Sequence, residues 1–239
     1  MATNSGFSAA ESYFGTIAGL TPKDSSDGKT GSVAEAPNAF GDTIAHDEYA
    51  QLAAPSTTYA VTADVSLSSL PALGSIVGST TKYMVTQVVV NTSAGQPPTV
   101  TISGQQVHSG ATAKRTYTLE GSVVARCKAQ DVCGAFTAPT SNETWDFTSS
   151  TTTFSVDFVK QSVGGDIVAA CATHGRIEDS VTVTDADGAA TLTAATGWTI
   201  TAPAAESAPD EGYVTLTATA SKFLIGTEVS GNGGGGSSV

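Results

Sequence analysis

Basic residues are scarce in this sequence: ten Lys and Arg stand against 22 Asp and Glu, a formal net charge of −12. A surface that grips nucleic acid needs a cationic footprint, so this balance argues against that class. It favours solubility and a surface to which DNA does not adhere. Aromatics are sparse at 7%, so any core must lean on Val, Ala, Leu and Ile. Cysteine is limited to Cys127, Cys133 and Cys171, an odd number with no CxxC. That argues against a disulfide framework and reads as three small packed apolar groups. No apolar run approaches the roughly 18 residues of a membrane helix. The nearest stretch, Leu67 to Val77, is interrupted by Pro71 and Gly74. The first residues, Met1-Ala-Thr-Asn-Ser-Gly, lack the basic and apolar regions of an export leader, so synthesis without export is expected.

What is present is β-pattern. With 239 residues, 40% of them apolar, the chain can bury one large core or two small ones. Residues 1–55 show no sustained periodicity and are rich in turn formers, so they read as an extended arm. Phe7, Tyr13, Phe14, Ile17 and Leu20 are its apolar anchors. From residue 56 to 226 short alternating runs recur. Tyr59, Val61, Ala63, Val65 and Leu67 share one face. The run Tyr83 to Val90 is apolar enough for burial on both faces. Asn91 to Pro98 reads as a loop, and Asp187-Gly188 as a hairpin turn. Good helix formers gather before Gly134, which predicts a short helix over 125–133. Residues 227–239 have the composition of a flexible tail. Thr58-Tyr-Ala-Val and Thr153-Phe-Ser-Val open similar runs, so two β-blocks, 56–140 and 141–226, are an alternative to one domain. The fold class expected is all-β, a sandwich or barrel with one short flanking helix and the N-terminal arm.

Charge is segregated along the chain. Residues 1–55 hold seven acids and two bases, 56–140 three and five, and 141–239 twelve and three. A basic middle between acidic flanks suits head-to-tail association of identical subunits; ordinary solvated faces are the plainer reading.

Catalytic signatures are missing. No GxSxG, SxxK, P-loop or GxGxxG occurs, and no histidine has HExxH spacing. Cys171 and His174 could meet a metal only with distant help from Cys127 and Cys133, and packing is the simpler role. Asp185-Ala-Asp187-Gly188 opens like a calcium loop but lacks the terminal Glu. The pairs Glu178-Asp179 and Asp210-Glu211 could act as acid and base in a cleft, but their polar company reads as an exposed acidic face. No enzyme activity, cofactor or metal is expected.

The layout of arm, β-runs and short helix resembles the tail tube (major tail) proteins of tailed bacteriophages over roughly residues 55–225. The segments Gly197-Trp-Thr-Ile-Thr-Ala-Pro and Asp210-Glu-Gly-Tyr-Val-Thr-Leu-Thr-Ala-Thr219 look like the paired C-terminal strands of such virion proteins. The resemblance implies a virion structural protein made in the host cytoplasm, assembling with copies of itself into hexameric rings stacked head to tail. It also implies contact with other virion proteins, no membrane, and a lumen that passes DNA without specific binding. Glu178, Asp179, Asp185 and Asp187 are then candidate lumen or inter-ring acids, and the arm anchors are assembly residues. Alternatives are a capsid decoration or head–tail connector protein, or a carbohydrate- or host-binding β-sandwich module.

Overall fold

The alternating runs become strands that are longer than the sequence suggests. The computed structural model describes residues 12–37, 43–108, 110–137, 145–163, 166–185, 192–207 and 214–229. The strands are β1 (Leu20–Pro37), β2 (Thr43–Val61), β3 (Val65–Ser66), β4 (Ile76–Val77), β5 (Lys82–Ser93), β6 (Gln96–Val107), β7 (Arg115–Thr116), β8 (Ser122–Val123), β9 (Trp145–Val163), β10 (Asp166–Asp185), β11 (Thr199–Ser207), β12 (Val214–Phe223) and β13 (Thr227–Glu228). Nine of them make one antiparallel sheet, ordered β1-β2-β6-β5-β9-β10-β12-β11, with β4 beside the start of β5. Two small pairs, β3–β8 and β7–β13, lie apart from it. Strands from before and after residue 140 join where β5 pairs with β9.

One face of this sheet is mostly apolar by alternation. Tyr59 and Val61 of β2, Val100 and Ile102 of β6, and Val88 and Val90 of β5 are buried on it. So are Phe154 of β9, Ile177, Val181 and Val183 of β10, and Leu216, Ala218 and Ala220 of β12. The sheet is strongly curved: β6 and β10 approach within 8 Å although two strands separate them in the ladder. Coil segments close the inner side, placing Leu67, Leu73, Tyr117, Leu119, Val123, Val132 and Phe136 in the same core. Gly175 allows one such contact, since a Cβ there would lie 2.3 Å from the Tyr117 ring.

Several sequence expectations change. No α-helix forms at 125–133 among the described residues; a single 3-10 turn at Leu67–Ser69 is the helical piece. The reason is local competition for backbone donors. The Gln130 N–H, which a helix would send to the Arg126 carbonyl, donates to Thr92 Oγ1, and the Cys127 carbonyl accepts from Gly95. Gln130 Oε1 holds the Val124 N–H and the Asp131 carboxylate those of Ala135 and Phe136, so the segment folds as a side-chain-braced loop. The run at β5 is buried on one face, not two: Met84 and Val85 are both buried, and a bulge between Val85 and Gln87 resets the alternation. Residues Asn91 to Pro98 belong mostly to strands, reversing at Ala94-Gly95, where Gly95 takes φ 76°. The hairpin turn expected at Asp187-Gly188 lies outside the described residues. β10 pairs with β9 and β12, while the described residues 192–198 are not strand and Ala194 bridges Phe136.

The segment read as an arm contains β1 and most of β2. Burial separates structural from superficial apolar positions along the whole sheet. Phe154→Ala should cost about 3–5 kcal/mol of unfolding free energy, whereas Phe223→Ala, at a side chain 76% exposed, should stay within about 0.5 kcal/mol. Urea denaturation midpoints check both.

Candidate functional site

Two features stand out, one at the rim of the sheet and one in its core. The first follows from lateral pairing. β2 pairs with β6 only over Ser56–Ala60. Among the described side chains the last tie of β2 to the body is at Ala53, whose N–H donates to Gln106 Oε1 (3.0 Å) and whose C=O accepts from Gln105 Nε2 (3.2 Å). Beyond it β1 and β2 pair with each other as far as Pro37↔Thr43. At about 3.3 Å per residue this two-stranded ribbon runs on the order of 30 Å past the sheet.

β9 and β10 repeat the arrangement. β9 pairs with β5 over Ser149–Ser155, and β10 with β12 over Arg176–Asp185, so 156–163 and 166–173 have each other as ladder partners. The ribbon leaves the sheet at a bulge. His174 adopts φ 51°, a left-handed conformation uncommon for a side-chain-bearing residue, and the register shifts between Thr173 and Arg176. The His174 Nδ1 lies 3.1 Å from Asp157 Oδ2 across that bulge. One face of the ribbon base is covered, since Ala172 packs against Gly74, while Val159 is 55% exposed. Among the described residues the outer edges of β1 and β11 have no ladder partner and complete the rim. Phe223 and Ile225 add two large exposed apolar groups where β12 ends.

The anchors are placed as follows. Phe14, Ile17 and Leu20 are buried in the chain's own core, and Tyr13 packs against it with its ring edge-on to Tyr83. Ser12 hydrogen-bonds the buried Tyr59 hydroxyl. Phe7 lies outside the described residues.

The second feature corrects the reading of Asp179. Alternation along β10 puts it on the core face between Ile177 and Val181, with 0% exposure, so it cannot line a lumen. Its Oδ1 accepts from Thr152 Oγ1 (2.9 Å) and Ser150 Oγ (3.2 Å), the polar inward residues of β9. Its Oδ2 is buried without a donor. The Asp131 carboxyl of the 124–136 loop faces it. Burial, reinforced by the negative charge of Asp131, pushes the Asp179 carboxyl up to about 7. Burial likewise pushes the neighbouring Cys133 thiol up. Glu178 points to the opposite face and pairs with Arg176. The Asp185 backbone pairs with Trp145 and Val214, its side chain lies outside the described set, and Asp187 lies outside the described residues.

Among the described residues no three His, Cys, Asp or Glu side chains converge as metal ligands. The three cysteines are free thiols, Cys127 on the surface and the other two half-buried. No helix of the described residues is long and apolar enough to cross a membrane. Sequence reasoning missed the Asp131–Asp179 pair. The available signal was an acid at an inward register position opposite the polar inward pair Ser150 and Thr152.

A carboxyl that keeps its proton in the folded state but loses it near 3.8 when unfolded gives stability that falls as pH rises. Unfolding free energy should therefore drop by a few kcal/mol between about pH 4 and about pH 7, and Asp179→Asn should remove that slope. Urea titrations of both proteins across this range give the difference. No protein-family profile and no curated protein matches this sequence.

Proposed function

We propose that this protein is a self-assembling structural subunit, and specifically a tail tube protein of a tailed-bacteriophage virion. The observation that carries the reading is the pair of two-stranded ribbons extending beyond the sheet. A two-stranded ribbon is marginal in water by itself and gains stability by packing or pairing with something else. Head-to-tail copies supply such a partner repeatedly, and the acidic, basic and acidic thirds of the chain suit the same geometry. Open edges at β1 and β11 offer lateral pairing, and Phe223 and Ile225 offer apolar contact.

In this reading the sheet and its coil layer act as one sandwich-like wall element. Subunits close into hexameric rings, rings stack through the ribbons, and DNA passes through the lumen without specific contact. Of the acids first assigned to that lumen, Glu178 keeps an outward position but is partly neutralised by Arg176. Asp185 and Asp187 carry the remaining assignment. The net charge of −12 disfavours adhesion of DNA to the wall.

The test shortens one ribbon and leaves the core intact. Residues 27–55 are replaced by Asn-Gly, so that Ser26 and Ser56, paired in the parent, flank a tight turn. The core anchors Phe14, Ile17 and Leu20 are retained. The expected variant keeps its β circular dichroism and cooperative melting but forms no rings or tubes under negative stain, while the full chain does. Polymerisation of the variant as readily as the parent contradicts the role of the ribbon. A full chain that stays monomeric at high concentration contradicts the function.

A further inference from the structure

The interior holds a polar arrangement that assembly does not require. Asp179 is fully buried, and its Oδ2 meets no donor. Facing it is Asp131, whose Oδ1 accepts the Ala135 N–H and whose Oδ2 accepts the Phe136 N–H, each at 2.9 Å. Two carboxylates both acting as acceptors repel across a dry contact. One proton between them removes the repulsion and satisfies the orphaned oxygen.

Asp131 belongs to the 124–136 loop, whose far end is also held by Val132, Ala135 and Phe136 in the core and by backbone bonds from Ser122 to Val132 and from Ala195 to Ala135. Gln130 bonds the Val124 backbone through its side chain and Thr92 Oγ1 through its N–H (3.0 Å). The Cys127 carbonyl accepts from the Gly95 N–H of the β5–β6 turn (2.8 Å), and Asp64 accepts from the Ala125 N–H (2.9 Å). The exposed crest of the loop carries Arg126, Cys127 and Lys128.

We propose that a proton shared between Asp131 and Asp179 is a catch that holds the 124–136 loop on the β9–β10 strands, and that its loss releases the loop. The device is a pH-set switch of the surface that displays Arg126 and Lys128. It is independent of whether the protein forms tubes.

The other groups around the pair do not replace it. From the loop comes Cys133, whose thiol is held neutral by burial and donates to the Glu120 carbonyl (3.3 Å). From β12 comes Lys222, committed to Glu120 and lying over the Trp198 ring. β9 contributes only the hydroxyls of Ser150 and Thr152. With Asp179 titrating at about 7, raising pH from about 5.5 to about 8.5 weakens the catch about thirtyfold.

Hydrogen exchange of the Ala135 and Phe136 amides, corrected for intrinsic rates, reads this directly in the full chain. Their protection should fall about thirtyfold over that interval in the wild type. In Asp179→Asn the amide keeps an acceptor for Thr152 and donates to Asp131 at every pH, so protection should stay flat. Unchanged protection in the wild type, or the same fall in the variant, overturns the proposal. Should the variant not fold, the wild-type infrared spectrum decides. A protonated carboxyl band present near pH 5.5 and gone near pH 8.5, in step with exchange, supports the catch. Absence of that band near pH 5.5 refutes it.

Discussion

Every strand has two edges, and each edge carries backbone donors and acceptors that must be paired or left to water. That constraint divides this molecule. In the body, β6, β5, β9 and β10 are paired on both sides, and their inward side chains build one core. In the ribbons β9 and β10, and β2 with β1, continue with each other as ladder partners, and the cooperative support of further neighbours ends. The point of departure is physically marked in one case by the bulge at His174 and Gly175, which turns β10 before it leaves the sheet. In the other it is marked by the two glutamines that clamp Ala53. Among the described residues the ribbons are the part of the sheet with the fewest ladder partners in the chain itself.

The core obeys a second constraint, that a buried polar atom needs a counterpart. Ser150, Thr152 and Asp179 satisfy most of their capacity among themselves. The remaining oxygen, Asp179 Oδ2, has no donor and is faced by a loop residue, Asp131, rather than by another strand. This ties an irregular segment to the centre of a regular sheet. The same loop replaces the helix that its composition favours, because Thr92 captures the Gln130 N–H and Gly95 the Cys127 carbonyl, groups that a helix would pair internally.

Strand character was legible in the sequence because alternation is a local property. Val100 and Ile102, Val181 and Val183, and Leu216, Ala218 and Ala220 were readable as inward positions from period 2 alone. Strand length was not, since Thr-, Ser- and Gly-rich stretches such as 21–32 become strand through pairing and carry no hydrophobic period of their own. The register bulge in β5 hid one-sided burial beneath a continuous apolar run. The Asp131–Asp179 pair joins residues 48 positions apart in the sequence. It was invisible because charge in sequence is read as exposure, and only the phase of β10 shows that this acid turns inward. The anchors Phe14, Ile17 and Leu20 were identifiable as apolar, but whether they pack on their own chain or on another is a tertiary fact.

The account rests on the ribbons finding lateral or facing partners in other copies. Hydrogen exchange of the β1–β2 ribbon amides, compared between dilute protein and assembled protein, tests this most directly. Residues 28–52 should exchange readily in the dilute state and become protected on assembly, while the β5 and β9 core amides are protected in both. Ribbon amides that remain equally unprotected in assembled material would contradict it.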